Sequence, residues 1–302
     1  MNLLQYTIAG HTIAIETPAA EATAMMLPNF EPFRVGCGRH GRQKGLNGAT
    51  NTAEPIFRLS GDVPLAIPRH PRDDYFEWNG IGYEVYHTRG GYTITMELPG
   101  RKQALFATHD WRFLYTDLSL ITEGEAWFLN NFLIVAFGMA SAPMKTVKMH
   151  ASVIEKNGRA LLFLGKSGTG KSTHSRLWQQ FVPGCSLLND DEPVVRLGSN
   201  GSLHVFGTPW SGKTPCYKNK SAQVAAFVHL HQHPENILTP QKGLQAFTSL
   251  LQSASVMRSD SRHRENTTDT LSDILQLVPV YRLDCRPDEE AVRLTEKLMP
   301  VV

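Results

Sequence analysis

The chain has 302 residues, 41% of them apolar and 19% charged, with a formal net charge of +2. This length suits two domains, and the composition is that of a globular protein able to bury a sizeable core. The near-neutral balance gives no global attraction to nucleic acid or an anionic membrane, and the four scattered cysteines (Cys37, Cys185, Cys216, Cys285) lack the C-x-x-C spacing of a zinc site or disulfide framework.

Residues 1–117 read as a mainly β domain. Met1 to Tyr6 has no basic run followed by an apolar one, so no signal peptide is expected and the predicted location is cytoplasmic. Tyr6–Ala9 and Thr12–Ile15 flank Gly10-His11 and predict a hairpin. Residues 36–51, rich in Gly, Arg, Lys and Asn, predict an exposed loop whose Arg39, Arg42 and Lys44 read as solvated, with anion binding as the alternative. Asn79-Gly80 between Tyr75–Trp78 and Ile81–Thr88 is a strong hairpin signal, and Tyr92–Leu98, Ala104–Ala107 and Arg112–Tyr115 continue the meander. The aromatics here read as sheet packing, and no site is expected in this half.

Near Asp117 the period changes. Glu123 to Ala140 carries Trp127, Phe128, Phe132, Leu133, Val135 and Ala136 at helical spacing. Its most apolar window, Ala126 to Ala140, is too short to span a bilayer and holds Asn130 and Asn131, so a core helix is expected. We place the domain boundary before this helix, giving a second domain of residues 118–302 on whose sheet the helix packs.

Met149–Ile154 predicts a strand, Asn157-Gly158 a turn, and Ala160–Leu164 a buried strand. The stretch Gly165-Lys166-Ser167-Gly168-Thr169-Gly170-Lys171-Ser172 follows, matching G-x-x-x-x-G-K-[ST], and Thr173 to Phe181 reads as a helix. Strand, glycine loop and helix are the context in which backbone N–H groups and a helix N-terminus cradle phosphate. In that setting Lys171 would reach the β- and γ-phosphates of a nucleotide and Ser172 would meet Mg²⁺. A glycine-rich turn opening an ordinary helix is the competing reading.

Pro183-Gly184 stops the helix, and Cys185–Leu188 returns as a strand carrying Asn189-Asp190-Asp191-Glu192 back towards the loop. Carboxylates there could hold a metal while one of them accepts a proton from an attacking hydroxyl. A solvated acidic turn before Pro193 is the alternative. Val194–Leu197 and Leu203–Phe206 predict a hairpin around Asn200-Gly201. Residues 207–220, with three lysines around Trp210 and Tyr217, read equally as a loop that meets phosphate or stacks on a base and as a plain surface loop. Val224–Leu230 predicts a central strand, Gly243–Ser253 and Thr268–Val278 helices separated by the polar run Arg258–Asn266, Val280–Leu283 a strand, and Asp288–Leu298 a closing helix. His229, His231 and His233 alternate, but Pro234 follows and nothing completes a metal site, so a surface strand end is expected.

His150-Ala151-Ser152, the run Gly165 to Thr173, and Asn189-Asp190-Asp191-Glu192 together resemble the kinase domain of HPr kinase/phosphorylase and, more distantly, the nucleotide core of phosphoenolpyruvate carboxykinase. Pro209-Trp210-Ser211-Gly212-Lys213 and Val280-Tyr281-Arg282-Leu283 resemble segments of HPr kinase-related bacterial proteins. The likeness spans roughly Glu123 to the C-terminus. The extended substrate-binding signature of true HPr kinases and the oxaloacetate and Mn²⁺ residues of the carboxykinase are not found. The resemblance implies an α/β P-loop kinase domain behind a smaller mainly β domain, binding ATP and Mg²⁺ and transferring the γ-phosphoryl group to a serine or threonine hydroxyl of a protein or peptide. It also implies a tendency to oligomerise. Gly165, Lys166, Ser167, Gly168, Thr169, Gly170, Lys171, Ser172 and Thr173 would hold the nucleotide, and Ser172, Asp190 and Asp191 the metal. Asp190, Asp191, His150 and Lys171 would carry the chemistry, with His150 near the transferred phosphate; a core histidine is its other reading. A small-molecule hydroxyl as acceptor and a non-catalytic nucleotide switch that binds a partner are the rival functions.

Overall fold

The computed structural model describes residues 2–36, 54–78, 81–98, 100–212 and 214–299. Cys37, the basic stretch Arg39, Arg42 and Lys44, the Asn79-Gly80 turn and Lys213 lie outside the described residues. The chain is mixed α/β and divides into two compact units, Met1–Ala140 and Ser141–Val302.

The first unit is built on an eight-stranded sheet. Its strands are β1 (Asn2–Ile8), β2 (His11–Thr17), β3 (Phe57–Ser60), β4 (Asp74–Trp78), β5 (Ile81–Thr88), β6 (Gly91–Leu98), β7 (Arg101–Thr108) and β8 (Phe113–Thr116), in the order β1-β2-β3-β8-β7-β6-β5-β4. β1 and β2 form the expected hairpin, closed by Ala9 and Gly10, both at positive φ. β4 to β8 form the antiparallel meander that alternation predicted, and β3, absent from the sequence reading, joins the two parts by parallel pairing with β2 and β8.

α1 (Ala20–Met25) and α2 (Ala126–Ser141) belong to this unit. The boundary expected at residue 117 therefore moves past the helix. Phe128, Leu129, Phe132, Leu133 and Phe137 are all fully buried. The polar residues of α2 also find partners within the first unit: Asn29 Nδ2 donates to Asn130 Oδ1 at 2.9 Å, and the Tyr83 hydroxyl to Asn131 Oδ1 at 3.2 Å. A helix apolar around most of its circumference must bury more than one face, and it does so here. The continuous helical run Glu123–Met144 has 22 residues, long and apolar enough to cross a membrane by length and composition, although 61% of its most apolar window is buried inside the protein.

The second unit holds the remaining sheet. Its strands are β9 (Thr146–Lys148), β10 (Ala151–Lys156), β11 (Arg159–Leu164), β12 (Ser186–Asp191), β13 (Val194–Leu197), β14 (Leu203–Phe206), β15 (Ser221–Gln232), β16 (Ile237–Gln241) and β17 (Val280–Cys285). The order is β12-β10-β11-β15-β14-β13-β9, with β17 also on β15 and β16 on β17. β15, twelve residues long, pairs β14 near its start and β17 along its later half, which makes it the branch point of the sheet.

α3 (Lys171–Phe181) and α6 (Glu289–Glu296) cover one face through Trp178, Ala291 and Val292. α4 (Gly243–Ser253) and α5 (Ser261–Leu277) cover the other through Ala246, Leu250, Leu271 and Ile274. α5 starts seven residues earlier than the spacing predicts, because Asp260 caps it by accepting from the His263 N–H.

β10 is antiparallel to both β11 and β12. β11 and β12 therefore run the same way with β10 between them, so the end of β12 and the loop leaving β11 lie at one edge of the sheet. The residue that enters β10, His150, lies at that edge too.

Candidate functional site

The loop after β11 turns on glycine. Gly165, Gly168 and Gly170 have φ of 139°, 83° and 104°, a region that favours a residue without a Cβ. At Gly165 the need is also spatial, since a Cβ there would lie 2.7 Å from Thr169 Oγ1. Thr169 Oγ1 donates to the Lys166 carbonyl at 2.9 Å, and Gln232 Nε2, at the end of β15, donates to the Gly168 carbonyl at 3.1 Å. Lys166, Ser167 and Gly168 are exposed at the crown of the loop, and Thr173 is half-buried one turn into α3.

Lys171 opens α3 and is buried. Its three ammonium protons have three acceptors: the Gly165 carbonyl at 2.8 Å, the Lys166 carbonyl at 3.2 Å and His150 Nε2 at 3.0 Å. The lysine expected to reach phosphate thus folds back over its own loop. Burial pushes its ammonium below the usual lysine value, against the opposing pull of Asp191, Asp190 and Glu192. An ammonium can only donate, so His150 Nε2 accepts, and Nδ1 on the other side of the ring lies 3.0 Å from Asp191 Oδ1.

The two aspartates diverge. Asp190 Oδ1 accepts from Ser172 Oγ at 2.9 Å, while Asp191 turns to His150. Asp190 is opposite Ser152 in the sheet and Asp191 opposite Ala151, and successive strand residues point to opposite faces. His150 differs from expectation in one respect: it stands in the link between β9 and β10 rather than inside a strand, because its N–H donates to the Ser253 carbonyl at 2.6 Å.

Lys148 escaped the sequence reading, and Asn189 and Glu192 were read only as members of the acidic run. Lys148 and Glu192, both buried, form an ion pair at 2.8 Å beside the aspartates. Burial raises the Glu192 carboxyl above its usual range, and Lys148 opposes the shift. Asn189, fully buried, donates to the Trp210 carbonyl at 2.9 Å and accepts from the Glu192 N–H at 3.0 Å. Glu192 was visible as the third member of an acidic run. Its partner, forty-four positions upstream, left no local signal.

Hard oxygen donors such as Ser172 Oγ and the Asp190 carboxylate suit Mg²⁺. Among the described residues, His150, Asp191 and Glu192 also bring one possible ligand atom each within 4.8 Å of one another. The other candidates differ from expectation. Trp210 is only 3% exposed, so its ring is core and not an open stacking platform. Its loop instead ties back to the acidic strand, where the Gly212 N–H donates to the Asp190 carbonyl at 2.7 Å. His229 is not at a surface strand end either. It is buried, bonded to Ser249 Oγ at 2.8 Å, and held down to about 4 by burial with His231 beside it. His233 is the exposed member of the three, and its Nδ1 accepts from the Glu235 N–H at 3.1 Å.

No family model matches the chain, and no curated protein matches it in sequence. Among solved structures, the HPr(Ser) kinase/phosphatase from Coxiella burnetii is a weak neighbour, at 12% identity and a TM-score of 0.29, over 50% of this chain and 87% of that one.

Proposed function

We propose that the second unit is a P-loop kinase domain of the HPr kinase type, which uses ATP and Mg²⁺ in the cytoplasm to phosphorylate a serine or threonine hydroxyl of a small protein or peptide. The observation that carries this reading is the run of contacts from Lys171 Nζ to His150 Nε2 and from His150 Nδ1 to Asp191 Oδ1, each 3.0 Å, at the mouth of a glycine loop with the phosphate-binding sequence. A basic group, a histidine and a carboxylate in series suit phosphoryl transfer, in which charge must be balanced at the phosphate and a proton removed from the acceptor.

In this scheme the loop N–H groups and Lys171 bind the phosphates, Lys171 exchanging its loop carbonyls for phosphate oxygens. Ser172 and Asp190 would hold Mg²⁺, which would neutralise phosphate charge when bound. Asp191, oriented by His150, takes the proton of the acceptor hydroxyl. The acceptor oxygen bonds to the γ-phosphorus as the bond to the β–γ bridging oxygen breaks, and ADP departs with that electron pair.

The test is incubation with γ-labelled ATP and a lysate of the source cells. The expected result is label on protein, stable to acid and released by base as serine and threonine phosphoesters are. Label confined to small molecules would move the acceptor to a small-molecule hydroxyl, and nucleotide binding without turnover would replace the kinase with a switch.

A further inference from the structure

Asp191 has a φ of 110°, in the left-handed region that non-glycine residues avoid, although it lies at the end of a strand. Such a backbone persists only where neighbours over-determine it. Ser211 Oγ and the Gly212 N–H both donate to the Asp190 carbonyl, at 3.1 and 2.7 Å, and Asn189 ties the same turn from inside. Asn189 Oδ1 accepts from the Glu192 N–H at 3.0 Å, which closes the turn across Asp190 and Asp191. Asn189 Nδ2 donates to Thr208 Oγ1 at 3.2 Å and to the Trp210 carbonyl at 2.9 Å. Thr208 Oγ1 in turn donates to the Glu192 carbonyl at 2.8 Å, so the turn and the following loop are laced at both ends.

Gly212 completes the fit: a Cβ there would sit 3.1 Å from Asp191 Cβ and 3.4 Å from its Cγ. The absent side chain leaves room for the aspartate where it stands.

We propose that Asn189 is a positioning residue for the phosphoryl transfer: fully buried, it fixes the 189–192 turn against the 208–212 segment and so holds Asp191 in the backbone state that aims its carboxylate at His150. The proposal rests on the kinase reading above for its consequence, and on the turn geometry alone for its mechanism. Asn189 touches neither nucleotide nor acceptor in this scheme; it acts through Asp191.

The experiment compares Asn189→Ala, Gly212→Ala, Asp191→Asn and the double variant Asn189→Ala/Asp191→Asn in the full chain, with crystal structures of the first two. Asn189→Ala should lower kcat for transfer by about 10²-fold, the usual effect of a misplacement of roughly 1 Å, with Mg-ATP affinity little changed. Adding it to Asp191→Asn should cost nothing more, since its effect passes through that carboxylate. In the crystal structure of the Asn189→Ala variant, Asp191 should relax to negative φ and leave His150. Additive losses in the double variant, or an unmoved Asp191, would overturn the proposal. If Asn189→Ala does not fold, Gly212→Ala decides: it should displace Asp191 and reduce kcat while retaining Mg-ATP binding, and wild-type transfer would overturn the proposal. Absence of any transfer by the unsubstituted protein would instead count against the kinase reading, and the position of Asp191 in the two variant structures would still settle whether the clasp aims it.

Discussion

Lys171 Nζ and His150 Nε2 lie 3.0 Å apart, although twenty-one residues separate them in the chain. The contact joins the start of α3 to the link before β10, and it forms because β10 returns antiparallel beside β11. The ammonium can only donate, so the ring nitrogen accepts, with Asp191 on the far side of the histidine.

Replacing Lys171 by alanine removes the donor set of three and the positive charge expected to meet the phosphates. Affinity for ATP should fall by one to two orders of magnitude, since a charged hydrogen bond contributes about 1.5–3 kcal/mol. Calorimetric titration of wild type and variant checks it, and equal affinities would remove the loop from nucleotide binding.

Trp210→Ala should destabilise the second unit by about 3–5 kcal/mol, as removal of a buried aromatic usually does. The ring is 3% exposed and its backbone is held by Asn189 and Thr208. Denaturant unfolding measures the loss. An unchanged midpoint accompanied by a raised KM for ATP would restore the stacking role that the sequence left open.

A fragment beginning at Ser141 should be better behaved than one beginning at Leu118. The longer fragment would carry α2 without the first-unit groups, Asn29 and Tyr83, that bond it, exposing Phe128, Phe132 and Phe137 to water. Size-exclusion chromatography of the two should show the longer one aggregating. Monodisperse 118–302 beside insoluble 141–302 would return the helix to the second unit.

His174 supplies a pH dependence. It is buried against Phe163 with Nε2 3.3 Å from Thr295 Oγ1, and burial lowers its pKa from 6.5 to about 4. The unfolded chain takes up this proton near 6.5 while the folded one resists, so stability should fall as pH drops through 6.5 and the effect should level off below about 4. The full cost is of the order of 3 kcal/mol. His174→Gln should remove up to about 1.4 kcal/mol per pH unit of slope in that window, measured by urea unfolding. An unaltered slope would mean that His174 titrates alike in both states.

What could be read from the sequence follows from how local each signal is. The strand, glycine loop and helix from Arg159 to Phe181 are consecutive, so motif and pattern coincide. The return of Asp190 and Asp191 to the loop was legible because a short helix and a short strand leave the chain few places to go. The Lys148–Glu192 pair and the Asn189 clasp were not, since each joins segments that no local periodicity connects. β16 was missed for a different reason. It contains Pro240, which reads as a strand breaker, yet among the described residues β16 pairs with β17 alone, and an edge strand tolerates proline. The ownership of α2 was hidden because an apolar helix says that it is buried without saying by what.

The divergence of Asp190 and Asp191 gives the sharpest test of the proposed chemistry. Asp190→Asn and Asp191→Asn each keep the side chain's size and remove its charge. In Asp190→Asn the new amide oxygen could still accept from Ser172, so the loop should stay in place while the anionic partner for Mg²⁺ is lost. That variant should need more Mg²⁺ and bind Mg-ATP more weakly. In Asp191→Asn the amide would face His150 without charge and with no basicity to take the acceptor's proton. This second variant should bind Mg-ATP almost normally, yet lose transfer by roughly two to four orders of magnitude, the usual contribution of a positioned base. A smaller loss would fit a transition state stabilised mainly by positioning and electrostatics. Single-turnover transfer beside Mg-ATP affinity for both variants separates these outcomes. In a switch without turnover there would be no transfer to lose, and partner binding would track nucleotide occupancy in both. If the two variants fail in the same way, the diverging contacts do not divide the labour. If both transfer at the wild-type rate, neither aspartate carries the reaction.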